Sequence, residues 1–172
     1  MLKEVETEDV CDPNFRGLFL TAFPENERIP LGNIQRTFGH GGKLRFYYDS
    51  DEFVGFTFAF ETRDVVFFVY LAVEQSQRGK GYGTDILSMM AESKGRRKMF
   101  LVLEKVSGEG EELRIRKARR DLYLRNGWRP TGTDILSDGY WFESMYIDSP
   151  VTEQEMLATV KYYEEVHTGE RR

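Results

Sequence analysis

The sequence predicts a single-domain α/β (α+β) protein with a mixed, mostly antiparallel central sheet flanked by helices, and three observations lead there. Two apolar-rich segments, KLRFYYD and EFVGFTFAFET, are separated only by the polar Asp49-Ser50-Asp51, the pattern of a β-hairpin. Behind them VVFFVYLAV is apolar along its whole length, which requires cover on both faces and hence a central place in the sheet. From Thr84 the apolar spacing becomes helical, with Ile86, Leu87, Met90 and Ala91 on one face as far as Gly95.

The elements follow in order. LKEVE is a short alternating strand. Residues 12 to 38 are helical with interruptions: DPNFRGLFLTAF starts behind Asp12 and Pro13, a cap and first-turn pair, and Pro24 and Pro30 break the pattern. The hairpin comes next, and VVFFVYLAV continues the meander after the Arg63-Asp64 turn. KMFLVLEKV is a second buried strand. ELRIRKARRDLYLRN is a helix with an expected apolar stripe of Ile115, Ala118 and Leu122, closed by Gly127. WRPTG and GYWFESMYI supply the last strands. Thr152 and Glu155 form a capping box ahead of a final helix, about 152–167, and GERR is expected to fray. Residues 1–172 are thus one domain, with a core of about 1–147.

Composition narrows the function. A net charge of −5 disfavours nucleic-acid binding, which needs a basic face, and mildly suits a cationic substrate. The single cysteine, Cys11, excludes an internal disulfide, and no Cys/His cluster has zinc-ligand spacing, so no metal site is expected. MLKEVETEDV lacks the apolar core of a signal peptide and no long uncharged apolar run follows, so neither secretion nor a membrane partner is expected and a cytoplasmic location fits.

The chemistry concentrates in VEQSQRGKGYGTDIL, residues 73 to 87, between the buried strand and the helix. There backbone N–H groups converge at the positive end of a helix dipole. Gly79, Gly81 and Gly83 remove side chains that would keep an anion from the backbone, while Arg78 and Lys80 add positive charge. The dinucleotide fingerprint G-x-G-x-x-G fails because the third glycine comes one residue early. A P-loop fails because no lysine separates Gly83 from Thr84.

Arg78-Gly79-Lys80-Gly81-Tyr82-Gly83 resembles the R-x-x-G-x-G motif of the GNAT superfamily of acyl-CoA-dependent N-acetyltransferases. Downstream, Tyr123-Leu124-Arg125-Asn126-Gly127-Trp128 resembles the family's Y-x-x-x-G-[FW] segment, on the expected helix-to-strand junction. The resemblance implies a GNAT-like fold, acetyl-CoA as co-substrate, and direct attack of a primary amine through a tetrahedral intermediate. It implies that Arg78, Gly79, Lys80, Gly81, Tyr82, Gly83 and Thr84 bind the pyrophosphate of coenzyme A. Leu71, Ala72 and Val73 match the strand positions that hydrogen-bond the pantetheine arm; core packing explains the same residues and is compatible with that role. Tyr123 matches the family's general acid, and a phenol with an ordinary pKa of about 10 is protonated at neutral pH; otherwise it anchors the helix to the sheet. Glu104, at the C-terminal end of its strand, is the candidate general base, against a solvent-facing glutamate or a member that uses water alone.

Arg116 stands where many members carry a cofactor-contacting asparagine, and its replacement by a phosphate contact is an open expectation. The run RIRKARR reads as a solvated polar face, with contact to the 3′-phosphate of coenzyme A as the other option. AFPENERIPLGNI resembles a stretch of the family's acceptor-pocket region, which makes Glu25, Glu27 and Arg28 candidates for substrate contact or plain surface charge. The acceptor is expected to be a small-molecule amine, with a protein amino group as the other option; a homodimer is also open. The opposing functional class is a non-catalytic acyl-CoA-binding or sensor domain on the same fold.

Overall fold

A computed structural model of the chain describes residues 1–137 and 139–170. In chain order the elements are β1 (Leu2–Thr7), α1 (Pro13–Ala22), α2 (Leu31–Thr37), β2 (Gly42–Asp49), β3 (Glu52–Glu61), β4 (Val65–Val73), α3 (Tyr82–Ser93), β5 (Lys98–Glu104), α4 (Gly110–Arg125), β6 (Trp128–Ser137), β7 (Tyr140–Ile147) and α5 (Glu153–Thr168). Short 3-10 turns cover Glu25–Glu27 and Gln75–Gln77. Arg171 and Arg172, in the segment expected to fray, lie outside the described residues.

Local chemistry fixes the helix ends. The Asp12 carboxylate accepts from the Phe15 N–H at 3.0 Å and Pro13 fills the first turn of α1. The α5 capping box forms as expected: Thr152 Oγ1 accepts from Glu155 N and Glu155 Oε2 accepts from Thr152 N. Pro24 and Pro30 separate α1 from α2, and the segment between them is held to the sheet by Tyr70, whose hydroxyl donates to Glu27 O at 2.7 Å and accepts from Ile29 N at 3.1 Å.

The seven strands form one sheet in the order β1-β2-β3-β4-β5-β7-β6. Every neighbouring pair is antiparallel except β4–β5, which is parallel and joined through α3. The sheet is thus mixed and mostly antiparallel, flanked by helices. One face carries an aromatic core in which Phe15 and Phe19 of α1 meet Phe56 and Tyr70. The other packs Ile86, Leu87 and Met90 of α3 against Phe68, Leu101 and Trp128. VVFFVYLAV is central, buried from both sides.

Two expectations change. Ile115 and Ala118 of α4 are exposed, not a core stripe; the inward face carries Arg116, Arg119 and Arg120 instead, because the sheet beneath this part of the helix offers carboxylates rather than apolar side chains. β6 runs on to Ser137, beyond the WRPTG segment. As an edge strand it tolerates Pro130, and its register shifts between Pro130 and Asp134.

Candidate active site

β4 and β5 part company midway. Their parallel pairing covers only Val65–Phe68 against Lys98–Leu101. At the next residue β4 bulges: Phe58 and Ala59 of β3 face Tyr70 and Phe68, leaving Val69 as the extra residue. A bulge bends its strand and sharpens the twist, which carries the end of β4 away from β5. Beyond it Leu71, Ala72 and Val73 remain paired to β3, and Val102–Glu104 remain paired to β7. The facing edges of the two strands therefore border a gap with backbone groups free of a ladder partner on that side.

The glycine loop closes one end of this gap. Gly79 and Gly81 adopt left-handed φ values of 77° and 87°, and a Cβ on either would meet no atom within 4 Å. Gly81 is the N-cap of α3 and gives no side-chain cap, so the amides of the first turn point out of the helix unclaimed by a side chain. α1 and α5, by contrast, are capped by Asp12 and Thr152. Gly83 serves packing: its Cβ would lie 3.6 Å and 3.7 Å from the Leu122 methyls of α4. The cations frame the loop. Arg78 Nε donates to Val73 O at 3.0 Å and fastens the loop to the end of β4, while Lys80 Nζ donates to Gln77 Oε1 at 2.9 Å. The Tyr82 hydroxyl donates to Asp49 Oδ2 at 2.6 Å, and Thr84 Oγ1 accepts from Asn126 Nδ2 at 3.3 Å.

α4 lies over the gap. Tyr123 is 8% exposed and packs in one cluster with Leu71 and Val73 of β4 and Leu103 of β5, edge-on to Trp128. Its hydroxyl has no hydrogen-bond partner among the described residues. Burial pushes the phenol up to about 12, with Arg119 pulling weakly the other way, so it is protonated across the neutral range.

One and two turns earlier, α4 sends arginines to carboxylates. Arg116 donates to Glu104 Oε2 through Nε at 2.9 Å and Nη2 at 2.6 Å, and pairs with Glu112 as well. It is therefore engaged by carboxylates and not placed as the free phosphate ligand entertained from the sequence. Arg119 lies 3.6 Å from Glu27 and over the Phe23 ring, and Arg120 binds Glu143 through two hydrogen bonds. RIRKARR is thus not a uniformly solvated face. The Glu27 carboxyl lies beside that of Glu104. Burial raises the pKa of Glu27; Arg119 opposes the rise, and the neighbouring Glu104 carboxyl adds to it.

The structure brings Leu71, Ala72, Val73, the 78–84 loop and Tyr123 around one gap, with Glu104 on the far strand. Glu27 is drawn into the same place, whereas Glu25 is exposed and Arg28 Nη1 donates to Leu20 O. The ion pairs of Arg119 and Arg120 were invisible to sequence reasoning; a three- and four-residue recurrence of arginine along α4 was their only trace. Among the described residues no group of His, Cys, Asp and Glu could hold a metal.

Comparison with curated proteins returns no match. Among solved structures the fold recurs in a GNAT-family chain from Bacteroides thetaiotaomicron, at 18% identity and a TM-score of 0.73 over 98% of this chain and 96% of that one. A Bacillus subtilis acetyltransferase in complex with CoA matches at 20% identity and a TM-score of 0.62, over 87% and 99%. A GNAT family acetyltransferase from Elizabethkingia anophelis with acetyl-CoA bound matches at 16% and 0.60, over 86% and 98%. The family model for the acetyltransferase (GNAT) domain matches residues 41–130, a span that holds the hairpin, the bulged strand, the glycine loop and the tyrosine helix. Covering more than half of the sequence and both of its motifs, that match makes this chain a member of the GNAT acetyltransferase family.

Proposed function

We propose that the protein transfers an acetyl group from acetyl-CoA to the primary amine of a small molecule, by direct attack through a tetrahedral intermediate. The observation that carries this is the continuity of the gap: a strand edge without a partner leads from an uncapped, glycine-lined helix terminus to a buried, protonated tyrosine. The amides at residues 78–84 suit a pyrophosphate and the strand edge at Leu71–Val73, which has no ladder partner on that side, suits an amide-bearing arm; similar solved structures hold CoA or acetyl-CoA. An N–H of that edge can stabilise the developing oxyanion, and Tyr123 is protonated to meet the departing thiolate. The acidic balance of the chain favours a cationic acceptor. A cytoplasmic setting accords with a single free cysteine, Cys11.

The test is calorimetric titration with acetyl-CoA, with ATP and NAD as controls, followed by thiol release in Tyr123→Phe. Saturable binding of acetyl-CoA alone, and turnover lowered about 10²-fold or more in the variant with binding retained, is the expected result. Binding without turnover in either form against a broad amine panel would assign a sensor instead, and a preference for ATP or NAD would overturn the assignment.

A further inference from the structure

Of the three acceptor-region candidates, Glu27 is the one the fold draws to the gap. It sits in the turn between α1 and α2, yet it reaches all three elements that border the gap. Its carbonyl accepts from Tyr70 of β4, immediately before Leu71. Its carboxyl lies within electrostatic reach of Glu104 at the end of β5. Arg119 of α4, one helical turn before Tyr123, lies 3.6 Å from its Oε2. With 11% of its side chain exposed, it is a nearly buried carboxyl at the mouth of the gap.

Glu104 is differently placed. Two hydrogen bonds from Arg116 fall on the same Oε2 at 2.6 Å and 2.9 Å, which commits that oxygen to the arginine. Glu27 has one longer ion pair and a carboxylate neighbour, so its carboxyl is the less engaged of the two and the one placed to exchange a proton. From this arrangement we infer that Glu27 is the proton acceptor for the incoming ammonium group, and that Glu104 and Arg119 are positioning residues that set its basicity from opposite sides.

The step balances without another reagent. The acceptor ammonium gives one proton to the Glu27 carboxylate, and the freed amine forms the C–N bond at the thioester carbonyl. Collapse breaks the C–S bond, the thiolate takes the Tyr123 proton, and the second nitrogen proton restores the phenol through water. Glu27 returns its proton to solvent. The charged and titratable groups facing Glu27 are Glu104 from β5, Tyr70 from β4, and Arg116 and Arg119 from α4. Burial holds Tyr70 up at about 12, so it stays neutral where a carboxylate titrates.

The inference rests on the acetyl-transfer reading, and two nucleophiles separate the two. Ethylamine is protonated near neutrality and must lose a proton before attack, whereas hydroxylamine is already neutral. Thiol release from acetyl-CoA is followed from about pH 5 to about pH 9 for wild type, E27Q, E104Q and R119Q, each checked for folding by circular dichroism and for acetyl-CoA binding by calorimetry. E27Q is expected to lose about 100-fold with ethylamine and to stay within about threefold with hydroxylamine. The acid limb of kcat/KM for ethylamine moves to lower pH in E104Q and to higher pH in R119Q. Equal losses of E27Q with both nucleophiles, or none with either, overturn the role of Glu27 and leave acetyl transfer standing. A wild-type chain that binds acetyl-CoA and releases thiol to neither nucleophile overturns both.

Discussion

Two alanine substitutions two residues apart separate the glycines that hold the loop's shape from the glycine that packs. Gly81 has φ 87° and ψ 3°, and its missing Cβ would face open space. Alanine there meets no clash, so its cost is conformational alone, about 1–2 kcal/mol for an L-residue in the left-handed region. Gly83 has an ordinary φ, and a Cβ at 3.6 Å from a Leu122 methyl makes normal contact. Alanine there gains about 0.5 kcal/mol from the lower entropy of the unfolded chain. At about 2–4 °C per kcal/mol for a domain of this size, Gly81→Ala lowers Tm by about 2–8 °C and Gly83→Ala raises it by about 1–2 °C in differential scanning fluorimetry. Relaxing Gly81 also turns the first amides of α3 away from their common focus. Losing one charge-assisted hydrogen bond of about 1.5 kcal/mol weakens acetyl-CoA binding about tenfold in calorimetry, while Gly83→Ala stays within about threefold. Wild-type affinity in Gly81→Ala would refute the anion role of the loop, and a Gly83→Ala variant as destabilised as Gly81→Ala would refute the packing argument.

Other perturbations read the scaffold. Arg45, with 8% of its side chain exposed, binds Glu61 at 2.9 Å and Glu4 at 3.1 Å; Arg45→Ala costs about 3 kcal/mol in urea denaturation, the low end for a broken buried pair because Arg97 still holds Glu61 at 3.0 Å. Burial alone would raise the Glu61 pKa, but hydrogen bonds and charge from Arg45 and Arg97 outweigh it and the net shift is downward. The stability Glu61 carries is therefore complete above the unfolded carboxylate pKa of about 4.3 and drains as pH falls through the folded value. Urea midpoints should drop below about pH 4.5 in wild type and change less in Glu61→Gln. Thr152→Ala removes one half of the α5 capping box and costs about 1 kcal/mol in the same assay, with no change in acetyl-CoA affinity.

What was legible followed from local signals. VVFFVYLAV announced a covered strand, Asp12 and Thr152 announced caps, and RGKGYG announced an anion loop, because each depends on a few neighbouring residues. The gap was implied by the family resemblance but not legible in the residues themselves, since it arises from where pairing stops: Val69 is no different in kind from Val66, and only alignment against β3 and β5 reveals the bulge. α4 misled for the same reason. Its apolar residues suggested one inward face, but inward is defined by what lies beneath, and beneath it lie Glu104, Glu27 and Glu143. The closeness of Glu27 to Glu104 joins distant parts of the chain, and its trace at sequence level was only a glutamate weighed as a substrate contact or surface charge.

The parallel seam between β4 and β5 divides the sheet into two units. β1–β4 pair consecutively along the order of the sheet, and β6 and β7 pair as neighbours with β5 beside them. Within the sheet, four residue pairs and the stacked rings of Phe67 and Phe100, 4.8 Å apart and 1° from parallel, join one unit to the other, and α3 packs across the line. Such units behave as separate cooperative blocks, so amide exchange through partial opening should be governed first along this line rather than within either block. Contacts across it also demand closure of the whole α3 crossover, which places them late in folding. A molecule lodged between the blocks then acts as mortar: it binds the assembled state alone and slows exchange on both sides at once, in strands it does not touch.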